Sequence, residues 1–255
     1  MITTAIARTP SAELSRGLTT ANLGPPEYDK ALKQHGQYVE LLIRLGLKVE
    51  ILAPVEEFPD AHFVEDTAVV FPELALITRP GAPSRRGEAG LMAAVLANYR
   101  KVVHIDPPGT LDGGDVLTIG KNVFVGLTDR TDRSGFDQLA EILTPLNYNC
   151  QAIPVTAGLH LKSSVNYIGN DTILVTQELA GNRAWEGCRK IIVDSEEAYA
   201  ANTLWVNDNL LVPAGFPRTT TKIKTLGLPV HELEMTEMQK MDGGLTCLSL
   251  RFQVD

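Results

Sequence analysis

Amphipathic helical stretches and short apolar runs alternate along this chain in a fixed order. Apolar residues at helical spacing (Leu32, Tyr38, Val39, Leu42, Leu45) predict a helix from Tyr28 to Leu45, stopped by Gly46. Further helices are predicted over Ser84 to Tyr99, Asp132 to Leu146 and Pro217 to Leu226, with a weaker one over Gln177 to Cys188. A strand-like run follows each of these segments: Lys48 to Leu52, Lys101 to Ile105, Cys150 to Pro154, Lys190 to Val193, and Pro229 to Leu233. Next come a polar turn and two strands that read as a hairpin. The turns start at Phe63, Leu111, Leu159, Ala201 and Asp242, at intervals of 48, 48, 42 and 41 residues. A period in that range predicts a propeller or array.

The last unit lacks its second hairpin strand. Thr3 to Arg8 can supply it and close a ring, which removes exposed sheet edges. The expected architecture is therefore α/β, a single domain over 1–255 built from five ββαβ-like units closed by the N-terminal strand.

Composition narrows the function. The 255 residues are 44% hydrophobic and 21% charged, as expected of a globular protein with a sizeable core. A net charge of −8 and the lack of a basic run argue against nucleic acid as a partner. No stretch approaches the roughly 20 apolar residues that span a membrane. The start, Met1 to Arg8, lacks the pattern of a signal peptide. Three widely spaced cysteines (Cys150, Cys188, Cys247) fit a reduced, cytoplasmic setting without disulfides or a zinc ribbon. Neither a Gly-x-Gly-x-x-Gly run nor a phosphate-binding Gly-Lys-Ser/Thr is present, so no nucleotide cofactor is expected. Cys150 and Cys188 default to core packing.

Equivalent positions of a closed ring face one axis. Those positions hold Glu65-Asp66, Asp112, His160, Asn202 and Cys247. Taken alone, each has a plain structural reading. Cys247 could be a small buried hydrophobe, Asp112-Gly113-Gly114 a simple turn, and Glu65-Asp66 a solvated strand end. Their shared repeat position favours a pocket instead. Cys247 is then the candidate nucleophile, on a strand after a glycine turn with Leu245 and Ser249 on the same face. His160 is the candidate acid/base, and Asp112 the group that orients it. Asp66 or Glu65 suits a planar cation such as a guanidinium. Arg85 opens a helix, where a cation opposes the helix dipole, and Arg130 sits one repeat later. Together they could clamp a carboxylate at the pocket rim.

The motifs then read as a known family. Ala7-Arg8-Thr9-Pro10, Phe63-Val64-Glu65-Asp66, Ile77 to Arg86, Gly109 to Asp115, Leu159 to Ser163 and the Asp242-to-Phe252 tail occur in order. With them the chain resembles the dimethylarginine dimethylaminohydrolases of the guanidino-modifying (pentein) superfamily. The resemblance implies a five-bladed α/β propeller and hydrolysis of Nω-methylated L-arginine to L-citrulline and a methylamine. It implies Cys247, His160 and Asp112 as catalytic residues. It also implies a guanidinium side at Asp60, Glu65 and Asp66, and a carboxylate side at Arg85 and Arg130. Leu18 would lie over the substrate in a lid, and Met241 would contribute through its backbone. No metal or organic cofactor is implied, and zinc on the Cys–His pair is expected to inhibit. The oligomeric state, a homodimer among the options, stays open. Arginine deiminase and amidinotransferase are the nearest alternatives, both normally longer. A noncatalytic binder of arginine-like ligands is the alternative from another class, but it would need no nucleophile.

Overall fold

A computed structural model of the chain describes residues 1–156 and 158–254. Five three-stranded sheets follow one plan, an antiparallel hairpin joined to a parallel third strand. The first sheet is Ser249–Phe252, Thr4–Arg8 and Lys48–Leu52. Thr4 pairs with Phe252 antiparallel and with Lys48 in parallel, so the N-terminal strand closes the ring as expected. The other four sheets are Ala68–Val70/Ala75–Ile77/Val102–His104, Val116–Ile119/Asn122–Leu127/Asn149–Pro154, Val165–Tyr167/Thr172–Val175/Arg189–Ile192, and Leu204–Val206/Asn209–Pro213/Val230–Leu233.

Each connection between the second and third strands fills the space between neighbouring sheets. Helix Tyr28–Arg44 buries Ala31, Tyr38, Leu41 and Leu42, an i, i+7, i+10, i+11 stripe, against strands of the first and fifth sheets. Gly46 follows it at φ +90°, a conformation that suits glycine at a helix end. Helix Arg86–Leu96 sits between the first and second sheets, and Arg133–Leu143 between the second and third. Asp132 caps the latter by accepting from Gly135 N at 2.8 Å, a contact worth about 1 kcal/mol. Ile223 of helix Pro217–Lys224 plugs the space between the fourth and fifth.

The weak helix expected over Gln177 to Cys188 shrinks to Gln177–Ala180 and a 3-10 turn, Arg183–Trp185. Gly181 breaks it, and Asn182 starts a new turn by accepting from Ala184 N. Trp185, fully buried, supplies the packing that a longer helix would have given.

The five axial segments are turns, as predicted, but at Cys247 the turn runs on where a strand was expected. They are 3-10 turns: Val64–Thr67, Gly113–Asp115, Leu161–Ser163, Ser195–Ala201 and Thr246–Leu248. Cys247 therefore stands in a turn, its N–H bonded to Gly244 O at 3.2 Å, and the strand starts only at Ser249. Alternation over so few residues does not separate a strand from a single turn. Among the described residues, no helix is long and apolar enough to cross a membrane.

Candidate active site

The axial turns bring distant residues to one narrow pocket. Its walls are formed by Leu18, Asp60, Phe63, Asp66, Arg85, Arg130, Leu159, His160, Met241, Asp242, Gly243 and Cys247. Most of the expected site residues are in that set. Asp112 stands directly behind it, fully buried, with Oδ2 3.0 Å from His160 Nε2 and Oδ1 accepting from Gly81 N at 2.8 Å.

Glycines make this convergence possible by close approach. A Cβ on Gly114 would lie 2.7 Å from both Asp66 Oδ1 and His160 Nδ1. On Gly244 it would collide with the Asn202 side chain. The left-handed residue of the Asp-Gly-Gly turn is Asp242 (φ 58°), so positive φ is not what its glycines supply.

Asp66 donates nothing and accepts much. It takes Arg85 Nη1 at 2.5 Å and Gly114 N at 3.1 Å. Burial opposes its charge, but His160 and Arg85 hold its carboxyl below the ordinary range. Asp60, in contrast, is pushed up by burial and by Asp66, against the pull of Arg85 and the Leu18 N–H. Burial also works against a charged His160, yet Asp66, Asp115 and Asp112 outweigh it and raise the imidazole to about 9. Cys247, half-buried, is pushed up to about 12 by burial and by the Glu65 and Asp66 carboxylates. Gly244 N donates to its Sγ at 3.4 Å, a weak counterweight. At neutral pH the resting pair is a thiol and an imidazolium.

Two expected positions need correction. Glu65 does not face this pocket. Its carboxylate accepts from Thr246 Oγ1 at 2.6 Å and pairs with Lys162 Nζ at 2.7 Å and Arg251 Nη2 at 3.2 Å. It borders a separate axial cavity of about 310 Å³, lined by the first strands of the sheets. Burial leaves no room for an unpaired carboxylate, so Glu65 fastens the turn carrying Cys247 to two cations. Arg85 is not an open rim arginine. It is buried, held by Asp66, by Glu88 and by the carbonyls of Asp60 and Phe63. Arg130 is half-buried, and its guanidinium makes no hydrogen bond or ion pair among the described residues.

Residues 17–20 strap across the opening. Leu18 N donates to both Asp60 oxygens at 3.2 and 3.1 Å, while Thr20 N and Oγ1 reach Asp242 Oδ2 at 2.5 and 3.0 Å. Leu18 as a whole is 41% exposed. Sequence reasoning missed Phe63, Leu159 and Asp242 as lining residues. Each opens one of the five repeat turns, and that shared register is the signal they carry. Asp66, Asp112 and His160 each offer an atom within 4.8 Å of the others, a spacing compatible with a metal ion. Direct hydrogen bonding accounts for the His160–Asp112 part of that spacing.

The family model described as arginine deiminase matches residues 53–184. An N(G),N(G)-dimethylarginine dimethylaminohydrolase of Pseudomonas aeruginosa is 39% identical over 97% of this chain and 98% of its own length. The chain belongs to the dimethylarginine dimethylaminohydrolase family. It is an enzyme of the class that acts on guanidino compounds. A dimethylarginine dimethylaminohydrolase of Streptomyces coelicolor is 38% identical, over 98% of this chain and 96% of its own. The solved structure of the Pseudomonas aeruginosa enzyme with citrulline superposes at a TM-score of 0.97, 38% identity, covering 99% of this chain and 100% of that one. The N-terminal domain of ArgZ, an arginine dihydrolase, shares the pentein fold at a TM-score of 0.90 and 20% identity, covering 100% of this chain and 98% of that domain.

Proposed function

We propose that this enzyme hydrolyses Nω-methylated L-arginine, asymmetric dimethylarginine or monomethylarginine, to L-citrulline and dimethylamine or methylamine. The observation that carries the reading is the single pocket holding a thiol, a raised imidazole and two carboxylates suited to a guanidinium. The curated relatives similar along nearly the whole chain are named for this reaction.

In this reading Asp66 and Asp60 take the guanidinium and Arg130, with no partner of its own among the described residues, takes the carboxylate, while Arg85 stays bound to Asp66 and Glu88. The arriving cation sits beside Cys247 and lowers its pKa, so the thiol releases its proton to solvent. The thiolate attacks the central guanidino carbon. Imidazolium His160 gives its proton to the departing amine, leaving a covalent S-alkylthiouronium on Cys247. Neutral His160 then takes a proton from water, whose oxygen becomes the ureido oxygen of citrulline as the thiol is released. Asp112 holds the imidazole orientation throughout. The free volume of the pocket is only about 20 Å³, so the Leu18 strap must swing aside for substrate entry. Mass spectrometry of a rapidly quenched reaction tests the covalent step. An adduct on the peptide containing Cys247 is expected, and its absence under single-turnover conditions would remove it.

A further inference from the structure

We propose that Asp115 is the positioning residue that locks His160, Asp112 and Arg130 into one frame. The proposal rests on the hydrolase reading above. Asp115 is fully buried in the turn Gly113–Asp115 and does not line the pocket. Three arms leave its carboxylate. Oδ1 accepts from Leu161 N at 2.8 Å, fixing the backbone next to His160. Oδ2 accepts from Thr131 Oγ1 at 2.6 Å and from Thr128 Oγ1 at 2.8 Å.

The two threonines pass the constraint on. Thr131 Oγ1 accepts from Asp112 N at 3.0 Å. Thr128 Oγ1 accepts from Arg130 N at 3.0 Å and Thr131 N at 3.1 Å. Donor and acceptor polarity make the arrangement directional. A hydroxyl has one proton, and both hydroxyl protons point at Asp115, which leaves their lone pairs for the backbone N–H groups of Asp112 and Arg130. Only an acceptor-only carboxylate receives three donors in this way. An amide at position 115 would present N–H groups to the hydroxyls and force at least one to turn round. The reversal would reach Asp112 or Arg130, because a turned hydroxyl aims its proton at a backbone N–H. Being buried, Asp115 has no water to compensate for a lost partner.

Asp115 also adds negative charge beside His160. The imidazole is faced by Asp66, Asp112 and Asp115, with Cys247, Arg85 and Arg130 in the same pocket and Lys162 on its own turn.

Three variants separate the arms. Thr131→Val cuts the arm to Asp112 and is expected to lower kcat roughly 10- to 100-fold with KM nearly unchanged. Thr128→Val cuts the arm to Arg130, together with the bond to Thr131 N, and is expected to raise KM more than it lowers kcat. Asp115→Asn should do both and lower the His160 titration midpoint, followed by NMR of the imidazole without substrate. That titration separates failure of the proposal from failure of the methylarginine reading, since it needs no turnover. Wild-type kcat, KM and His160 midpoint in folded Asp115→Asn would overturn the proposal. So would equal, uniform losses in both threonine variants that merely track a fall in Tm. If Asp115→Asn does not fold, the kcat-against-KM split between the two threonine variants decides.

Discussion

His160 Nε2 lies 3.0 Å from Asp112 Oδ2, while Nδ1 stands 3.9 Å from Asp66 Oδ1. The first contact is a hydrogen bond; the second is charge without one. One nitrogen is thus committed to orientation and the other is left on the side of the pocket. Asp112→Asn should keep the fold but lower kcat by roughly 10²- to 10⁴-fold, because the ring loses its orienting charge. KM should change little. Steady-state kinetics with circular dichroism as a fold control would check this, and near-normal kcat would remove Asp112 from its role.

The raised His160 sets a pH dependence with a definite sign. Its folded value, about 9, exceeds the ordinary 6.5, so the proton is bound more tightly in the folded state. The stabilisation is complete below about 6.5 and is lost as pH rises through about 9. Denaturant unfolding across that window should show falling stability, and the fall should shrink in His160→Gln. Activity should also decline on the alkaline side, where the departing amine loses its acid.

Cys247 is expected to be almost wholly thiol in the free enzyme at neutral pH, because burial and two carboxylates hold it at about 12. Thiolate absorbance in the ultraviolet should be nearly absent without ligand and should grow when a guanidinium ligand binds. A strong thiolate signal in the free enzyme at neutral pH would contradict substrate-assisted ionisation.

Gly114→Ala should cost about 1–3 kcal/mol and most of the activity, since the added carbon overlaps Asp66 and His160 together. Thermal unfolding and kcat would measure the two effects. Gly120→Ala serves as a contrast, because nothing lies within 4 Å of its added carbon and only its φ of +60° is strained. It should lose stability without a matching loss of kcat.

The ring was legible because its signal repeats. Helical spacing, the five turn positions and the orphan strand at Thr3 to Arg8 agree with the observed sheets. The site was legible in its members: Cys247, His160, Asp66, Asp60 and Arg130 come to one pocket. The direction each side chain takes was not. Glu65 and Asp66 are neighbours, yet one fastens Thr246 and the other lines the pocket, because a 3-10 turn points successive side chains apart. Arg85 looked like a rim cation, since partners such as Glu88 and the Phe63 carbonyl become visible only in the fold. Asp115 was hidden for the same reason: its three donors come from segments 13 to 46 residues away.

The most direct measurement is product analysis after incubating the enzyme with asymmetric dimethylarginine, plain arginine and agmatine in parallel. Citrulline and dimethylamine from the methylated substrate, abolished in Cys247→Ser, are predicted. Ready turnover of plain arginine with none of the methylated substrate would contradict the account.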